Sequence, residues 1–372
     1  MKSIHEIFIQ PAQNMESIEN DSISLIVTSP PYPMIKMWDD IFSNQNPEIR
    51  ESLKKENGTN AFQLMNEELD KIWDECYRVL KPGGFACINI GDATRTIGKN
   101  FRLYTNHSRI TEYCEQIGFQ SLPVILWRKQ TNAPNKFMGS GMLPSGAYVT
   151  LEHEYILILR KGSKKTFHEN EKENRRMSAF FWEERNTWFS DLWQFKGIKQ
   201  NIIDAKSRER SGAYPFELAF RLINMYSMIG DTVLDPFLGT GTSLLAAMAC
   251  GRNSIGFEID PNLNEVINES IENSKEKLNN RQLNRITEHV KFIQEYQDVK
   301  KKELKYHNDI LNIPVMTRQE MSLDIFIIDE LVKVNDNKYR AKHRKYNSLS
   351  DISFKTIGFD NDNISEMQLS LM

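Results

Sequence analysis

Residues 232–243 read TVLDPFLGTGTS, and this stretch decides the fold. A short run of β-forming residues enters a turn that holds two glycines, and the chain leaves the turn as an apolar helical run over residues 244–250. Gly239 and Gly241 carry no Cβ atom, so the backbone at these positions allows a ligand to approach closely. The stretch therefore predicts a strand, a ligand-binding turn and a helix in succession.

A second strand is predicted after this helix. Residues 254–257 form a short run that ends in Glu258, about twenty residues after Asp235. An acidic residue at this place in a βαβ unit can accept hydrogen bonds from the hydroxyls of a ribose. The dinucleotide-binding pattern is excluded, because Leu244 stands where its third glycine would be. We predict a nucleotide-binding βαβ unit, with a βαβ unit that binds no nucleotide as the alternative.

A second unusual stretch lies near the N-terminus, where residues 28–32 read TSPPY after the apolar run 23–27. The two prolines have fixed φ angles and no backbone N–H, so neither continues a sheet ladder. The result is a stiff turn at the carboxyl end of a strand, which offers the hydroxyl of Ser29, carbonyl oxygens and the ring of Tyr32. A flat ligand with an amino group, such as a nucleobase, matches these groups. The alternative is a diproline turn after an ordinary strand.

The TSPPY stretch resembles the catalytic motif of DNA amino-methyltransferases, the family that methylates N4 of cytosine or N6 of adenine. The resemblance implies the catalytic residues Ser29, Pro30, Pro31 and Tyr32. A serine in the first position is the form associated mostly with cytosine-N4 enzymes. We therefore expect a cytosine-N4 DNA methyltransferase that uses S-adenosyl-L-methionine, with adenine N6 as the nearest alternative. An RNA or protein methyltransferase and a catalytically silent nucleic-acid-binding protein are more distant alternatives.

The glycine-rich turn closely resembles the S-adenosylmethionine site of the same family. The resemblance assigns to the cofactor the loop residues Asp235, Phe237, Gly239, Gly241 and Thr242, and Glu258 at the ribose. Residues 211–218, SGAYPFEL, resemble the segment that begins the cofactor subdomain, which implies a place for Tyr214 near the methionine end. Two departures occur: Arg210-Ser211 replaces the usual His-Pro, and Tyr214 replaces the usual Phe. Gln10 stands where the family commonly has an acidic pair, near the adenine ring.

The resemblance also implies a mechanism. The target base is extruded from the duplex, because its amino group is unreachable inside the stack. Tyr32 stacks on the extruded ring, and hydrogen bonds to Ser29 and to the Pro30 carbonyl direct the nitrogen lone pair at the methyl group. The covalent route through carbon 5 of cytosine needs a cysteine nucleophile, usually after a proline, and none of the four cysteines follows a proline.

Alternating strand and helix patterns predict an α/β fold with a twisted, mainly parallel sheet and helices on both faces. The catalytic motif precedes the cofactor motif by about 200 residues, which by resemblance implies a circularly permuted methyltransferase fold. Two strand patterns, 119–127 and 148–160, have no helix between them and predict an antiparallel hairpin at one edge. We predict a catalytic half over residues 1–162, a target-recognition region over 163–209, a cofactor-binding half over 210–275 and a C-terminal extension of unknown role over 276–372.

The segments that follow the TSPPY turn show mixed patterns. Residues 33–60 are polar and rich in Asn, Glu and Lys, which predicts a long loop or lid, with a plain surface insertion as the alternative. Apolar residues at helical spacing predict a helix over residues 62–80, and a further helix is predicted over residues 101–117.

Residues 163–205 interleave basic and aromatic side chains, a pattern that fits contact with phosphates and bases. The residues predicted to contact DNA are Lys164, Lys165, Arg175, Arg176, Trp182 and Trp188. The alternative is a solvated charged loop followed by an aromatic packing segment. A second basic stretch, residues 338–346, is predicted either to touch phosphates or to form a solvated basic face.

The composition fits a globular enzyme with an additional module: 372 residues, 40% of them hydrophobic and 26% charged, with a formal net charge of -3. A near-neutral protein that binds DNA needs a local basic face. The four cysteines form no CxxC pair, so we expect reduced, buried thiols and no metal site. No signal peptide or membrane span is expected, and we predict a cytoplasmic protein of a bacterial or archaeal cell. The expected partners are double-stranded DNA and a cognate restriction endonuclease that acts on the same site.

Overall fold

The computed structural model describes residues 1–129, 138–197, 214–301 and 303–346. The strands in these ranges are β1 (Lys2–Ile9), β2 (Ile23–Thr28), β3 (Leu80–Ile90), β4 (Ala93–Ile97), β5 (Asn100–Tyr104), β6 (Phe119–Arg128), β7 (Met138–Gly139), β8 (Ala147–Tyr148), β9 (His153–Lys161), β10 (Leu192–Gln194), β11 (Thr232–Asp235), β12 (Asn253–Glu258), β13 (Tyr306–Asn308), β14 (Ile313–Val315), β15 (Phe326–Asn335) and β16 (Lys338–Lys345). The α-helices are α1 (Asp39–Gln45), α2 (Pro47–Lys54), α3 (Gly58–Val79), α4 (Asn106–Gln116), α5 (Glu169–Met177), α6 (Trp182–Trp188), α7 (Phe216–Tyr226), α8 (Thr242–Ala249), α9 (Leu263–Glu272) and α10 (Lys275–Lys300). None of these helices is long and apolar enough to cross a membrane.

Ten of the strands form one sheet, in the order β10-β6-β9-β3-β2-β11-β12-β1-β16-β15. Its centre consists of five parallel strands, β3, β2, β11, β12 and β1. Strands that are covered on both faces read as continuous apolar runs, and Leu25, Ile26 and Val27 of β2 are all fully buried. The predicted α/β fold with a mainly parallel centre is confirmed.

Helices cover both faces of the sheet, as predicted. Leu25 and Val27 point to one face, where they share a core with Leu218 of α7 and Ala246 of α8. Ile26 points to the other face and shares a second core, which contains α3 residues such as Trp73. This division follows from the alternation of side chains along a strand. The four cysteines are free and buried in these cores.

The antiparallel strands lie toward the two ends of the sheet. The predicted antiparallel pair is present, because β9 pairs with β6 and also with β3. However, β10 pairs in parallel outside β6, so the pair lies one strand inside the edge. Since β6 and β3 both run antiparallel to β9, their carboxyl ends lie at the same edge as that of β2.

The C-terminal extension completes the opposite end of the sheet. Strand β16 pairs antiparallel with β1, and β15 pairs antiparallel with β16. The basic stretch 338–346 is therefore mostly a strand: Tyr339, Ala341 and His343 are buried, while the basic side chains between them lie on the outer face. A segment that the sequence sets apart is thus continuous with the same sheet as β1.

The segment after the TSPPY turn is helical, so the prediction of a long loop over residues 33–60 is wrong. It contains α1 and α2, and α2 begins in the usual way, with Asn46 as N-cap and Pro47 at the first position. Arg95 of β4 donates two hydrogen bonds to Asp39 of α1, at 2.7 and 2.6 Å, which ties the segment to the β4–β5 hairpin. The predicted helix over residues 101–117 is likewise divided into strand β5 and helix α4.

Candidate active site

The two sequence motifs meet at one edge of the sheet. Strands β2 and β11 are parallel neighbours, with Leu25 opposite Val233 and Ile26 opposite Leu234. Their carboxyl ends therefore emerge side by side, and this places the turn that contains Ser29 beside the turn that contains Gly239. Ligands in open parallel sheets bind outside the carboxyl ends of the strands.

Asp235 joins the two motifs. Its Oδ1 atom accepts hydrogen bonds from Thr28 Oγ1 at 2.6 Å and from the Phe237 N–H at 3.0 Å. Its Oδ2 atom accepts from Ser243 Oγ and, at 3.3 Å, from the Tyr214 hydroxyl. Burial raises the pKa of Asp235, while these hydrogen bonds act in the opposite direction. Four donors fill the acceptor positions of a carboxylate, so Asp235 acts on the site through the protein groups that it binds, which come from both motifs.

The glycine-rich turn has the conformation that its residues favour. Gly239 and Gly241 have φ angles of +57° and +87°, in the left-handed region. A Cβ atom at Gly239 would meet nothing closer than the Phe237 carbonyl oxygen at 4.0 Å, so the turn is open on that side. Thr242 is the first residue of α8, and the ring of Phe237 packs against Trp73 with centroids 5.8 Å apart.

Glu258 closes the turn from the next strand. It is 8% exposed and accepts hydrogen bonds from the N–H groups of Gly239 and Asp260, both at 2.8 Å. Burial raises the pKa of Glu258 to about 7. Gln10 lies directly after β1, where Ile9 is in register with Glu258, so Gln10 is at the same edge and is exposed.

The turn over residues 29–32, the candidate catalytic turn, is held through the hydroxyl of Tyr32. This hydroxyl lies 3.2 Å from Ser29 Oγ, donates to Glu154 Oε2 at 2.9 Å and accepts from Asn89 Nδ2 at 2.9 Å. Gly91 lies against the ring, since a Cβ atom there would be 2.9 Å from Tyr32 Cε2. Pro30 is buried and Pro31 is half-buried.

Asn106 supports the same turn from α4. Its Nδ2 atom donates to the Pro33 carbonyl at 3.1 Å and to the Gly91 carbonyl at 2.9 Å. Met34, which follows Pro33, has a φ angle of +67°, an uncommon backbone conformation for a residue of this size. Backbone that is held in such a conformation by its surroundings is frequent at functional sites.

Sequence reasoning missed three of these supporting residues, Asn89, Asn106 and Glu154. One signal was available: Glu154 is a charged residue at the start of β9, directly before the apolar run 155–159, and buried charges are rare without partners. Asn89 sits in the equally apolar β3 and is 1% exposed.

Comparisons with known proteins agree with this arrangement of the two turns. A family model described as DNA methylase matches residues 23–269, a span that contains both turns. The chain belongs to the DNA methylase family. S-adenosyl-L-methionine is the cofactor of this family.

This DNA methylase has curated relatives in archaea. It is 48% identical over 350 residues to the type II methyltransferase M.MthZI of Methanothermobacter thermautotrophicus, which covers 93% of this chain and 97% of the relative. It is 50% identical over 278 residues to the type II methyltransferase M.MjaI of Methanocaldococcus jannaschii, covering 72% and 91%. Its fold is similar to the crystal structure of a putative DNA modification methylase from Thermus thermophilus in complex with S-adenosyl-L-methionine: the TM-score is 0.54 and the identity 29%, over 74% of this chain and 94% of the other.

Four basic residues that the sequence suggests for DNA contact in this methylase lie at the other edge of the sheet. Lys165 is next to Gly83 near the amino end of β3, where a Cβ on the glycine would be 2.9 Å from it. Helix α5 is anchored to the residue range just before β11, because Asn174 Nδ2 donates to the Ile229 carbonyl at 2.8 Å. The structure therefore does not bring these basic residues together with the candidate catalytic turn. The four residues are Lys164, Lys165, Arg175 and Arg176.

The two tryptophans that the sequence suggests for DNA contact lie in different environments. Trp182 is 37% exposed and stacks on Phe292 of α10, with centroids 5.7 Å apart. Trp188 is 3% exposed and packs edge-on against Phe220 of α7. This arrangement corresponds to the aromatic packing segment that the sequence left as the alternative. Residues 198–209 of the predicted recognition region, and Arg210 to Ala213 at the start of the cofactor subdomain, lie outside the described residues.

Within the described ranges, one group of side chains has the spacing of a metal site. Ligand atoms of Glu183, His289 and Glu320 lie within 4.8 Å of one another. His289 Nδ1 is 2.8 Å from Glu183 Oε1, and its Nε2 is 2.9 Å from the Pro314 carbonyl, an acceptor. Both nitrogens face acceptors, and the pKa of His289 is raised, which favours the doubly protonated ring; that form has no lone pair to offer a metal. The contact of buried His289 with half-buried Glu183 joins α10 to α6, and the expectation of no metal remains a prediction.

Proposed function

We propose that this methylase transfers a methyl group to N4 of cytosine in double-stranded DNA, as the modification enzyme of a type II restriction–modification system. The observation that carries the choice of base is Ser29: a serine stands first in the catalytic motif, and its hydroxyl lies within 3.2 Å of the Tyr32 hydroxyl. The names of the two archaeal relatives, both type II methyltransferases, support the second part of the proposal. A restriction endonuclease for the same DNA site is the proposed partner.

The groups at the glycine-rich turn fit the cofactor. When bound, S-adenosyl-L-methionine supplies a methyl group activated by a positively charged sulfur. Glu258 uses two acceptor positions for backbone N–H groups and keeps others for the two hydroxyls of a ribose. The open side of Gly239 provides room for close approach. We assign Gln10 to the adenine end and Tyr214 to the methionine end, with Phe237, Gly241 and Thr242 lining the turn.

The catalytic turn supplies positions for an extruded base. Tyr32 offers a ring face for stacking, while Ser29 Oγ and the Pro30 carbonyl accept hydrogen bonds from the amino group of the base. These bonds draw the nitrogen lone pair out of conjugation with the ring, which makes the nitrogen a better nucleophile. In methyl transfer the carbon–nitrogen bond would form as the carbon–sulfur bond breaks, so the positive charge would pass from sulfur to nitrogen, and release of one N–H proton to solvent water would restore a neutral amine. Positioning is the main catalytic contribution, because no covalent enzyme intermediate forms.

We propose that the duplex approaches the carboxyl-terminal edge of the sheet, not the surface of residues 163–178. Lys36 follows the catalytic turn by four residues and is exposed. Lys99 is exposed at the tip of the β4–β5 hairpin, which begins directly after the carboxyl end of β3. Cations at this edge can contact phosphates on either side of the extruded base.

Mass spectrometry of nucleosides tests the proposed reaction. The full chain is expressed in a host that lacks DNA methylation, and plasmid DNA is digested to nucleosides. N4-methylcytosine is the expected product. N6-methyladenine would overturn the choice of cytosine and leave the mechanism in place, because the hydrogen bonds to Ser29 and Pro30 serve either amine. Unmodified DNA from a folded chain that binds S-adenosylmethionine would overturn the proposed substrate.

A further inference from the structure

We propose that Glu154, paired with Lys129, is a positioning residue that fixes the ring of Tyr32 in the orientation required to stack on the extruded base. The proposal rests on the proposed function, and it deepens the description of the catalytic turn. Neither Glu154 nor Lys129 belongs to the TSPPY motif or to the glycine-rich turn.

The contacts of Glu154 point to this role. Glu154 is 9% exposed, and its Oε2 atom accepts hydrogen bonds from the Tyr32 hydroxyl at 2.9 Å and from Asn89 Nδ2 at 2.7 Å. Its Oε1 atom pairs with Lys129 Nζ. Asn89 Nδ2 also donates to the Tyr32 hydroxyl, so the Tyr32 hydroxyl, Asn89 Nδ2 and Glu154 Oε2 form a closed triangle of hydrogen bonds.

This triangle limits the two side-chain torsions of Tyr32. The hydroxyl is held at the far end of the ring, and Gly91 lies against the ring edge, where a Cβ atom would approach to 2.9 Å. Burial, and then the neighbouring Glu154 charge, raise the pKa of Tyr32 well above its usual value, so the phenol stays protonated and donates. A ring that is ordered before the base arrives loses less entropy when the base stacks on it.

Lys129 makes the buried carboxylate tolerable. A buried charge without a partner is strongly destabilising, and the ammonium group of Lys129 supplies the opposite charge. Lys129 is itself located by its backbone, which donates to the Glu152 carbonyl at 2.7 Å, and by the ring of Trp127, whose centroid is 4.6 Å from its Nζ. Strands β6 and β9 thereby deliver both members of the pair to the carboxyl end of β3.

The test compares Glu154→Gln, Tyr32→Phe and the double variant in the full chain. A glutamine keeps the shape of the side chain but has one acceptor oxygen, so it cannot serve both Tyr32 and Lys129. The matched control is Glu152→Gln, two residues before Glu154 in the chain. This change removes a surface ion pair with Arg128. Each protein is measured for single-turnover methylation of unmethylated plasmid DNA, for S-adenosylmethionine affinity by calorimetry and for thermal melting.

We expect Glu154→Gln to slow single-turnover methylation by about 10- to 100-fold, the effect of misplacing a positioned group, with cofactor affinity and melting close to wild type. Because Glu154 acts through the Tyr32 hydroxyl, the double variant should be no slower than the slower single variant. Effects of the two substitutions that multiply would overturn the positioning role. A fold-loss of cofactor affinity equal to the fold-loss of rate, together with a lowered melting temperature, would overturn it as well. Glu152→Gln should match wild type in all three measurements.

A second readout does not depend on the reaction. In a chain labelled with carbon-13 at the tyrosine rings, the resonance of Tyr32 is assigned by its absence in Tyr32→Phe. Glu154→Gln should shift or broaden this resonance, while Glu152→Gln should leave it in place. An unchanged Tyr32 resonance in Glu154→Gln overturns the proposal even if methylation is observed. If wild type methylates adenine, or no base, the proposed function fails while the resonance still decides the role of Glu154.

Discussion

Replacing Thr28 with valine tests the link between the two halves of the active site. Thr28 is 1% exposed, and its hydroxyl donates to Asp235 at 2.6 Å. Valine has almost the same shape, so the change removes one hydrogen bond to a buried carboxylate and little else. Hydrogen bonds to charged groups contribute about 1.5–3 kcal/mol. Three other donors remain on Asp235, so we expect a loss of about 1.5 kcal/mol in the free energy of unfolding.

The strand pair contains its own control. At the amino ends of the same two strands, Ser24 Oγ donates to Asp231 at 3.0 Å, but Ser24 is half-buried. Ser24→Ala should therefore cost less, about 0.5 kcal/mol, the low end for a hydrogen bond. Urea unfolding measures both losses. Thr28→Val should also weaken S-adenosylmethionine binding, because Asp235 holds the start of the glycine-rich turn through the Phe237 N–H, whereas Ser24→Ala should not. Equal losses in both variants, with cofactor affinity unchanged in both, would refute the reasoning.

Three further perturbations probe charge. Burial raises the pKa of Glu258 to about 7, and ribose hydroxyls donate to its ionised form, so S-adenosylmethionine affinity should rise from pH 6 to pH 8. Calorimetry in two buffers of different ionisation enthalpy should show release of about 0.5 proton at pH 7, and Glu258→Gln should abolish that release; a flat wild-type profile would contradict the assignment. Burial by itself would lower the pKa of His289, but the hydrogen bond and charge of Glu183, the Pro314 carbonyl and the charge of Glu320 together outweigh it and raise the pKa above its usual value. The stabilisation by this ion pair is complete below about pH 6.5 and is lost as the pH rises through the higher pKa of His289 in the folded state. The free energy of unfolding of wild type should therefore fall more than that of His289→Gln between pH 6 and pH 9. Parallel curves of unfolding free energy against pH would contradict the ion pair. Lys99→Ala should weaken DNA binding and lower the slope of log affinity against log salt by about one, whereas the matched Lys164→Ala, at the opposite edge, should change neither; the reverse result would return the DNA surface to residues 163–178.

The local elements of the site could be predicted from the sequence because their chemistry is local. Two glycines between a β-forming run and an apolar helical run specify a strand, an open turn and a helix, and the structure has β11, the turn and α8 in those places. The prolines of residues 30 and 31 end β2 at Thr28 for the same kind of reason, since neither has a backbone N–H. The alternation of such units is sufficient for the α/β fold class.

Other features depend on which parts of the chain meet, and no local pattern contains that information. Aromatic and basic residues in sequence look alike whether they face DNA or a core, and only the packing of Trp188 against Phe220 of α7 distinguishes the two. The polar composition of residues 33–60 suggests a loop, yet the Arg95–Asp39 pair holds helices there. The C-terminal strands look separate because their partner, β1, lies about 330 residues earlier in the chain.

The arrangement of the active site is the clearest case of this division. The sequence by itself determined the two turns, since glycine and proline act through their own backbone conformations. Only the tertiary structure decided that Thr28 reaches Asp235 across 207 residues and that Tyr32 reaches Glu154 across 122. Such contacts follow from strand order and register, in which a shift of a single residue would turn every side chain of β2 to the opposite face.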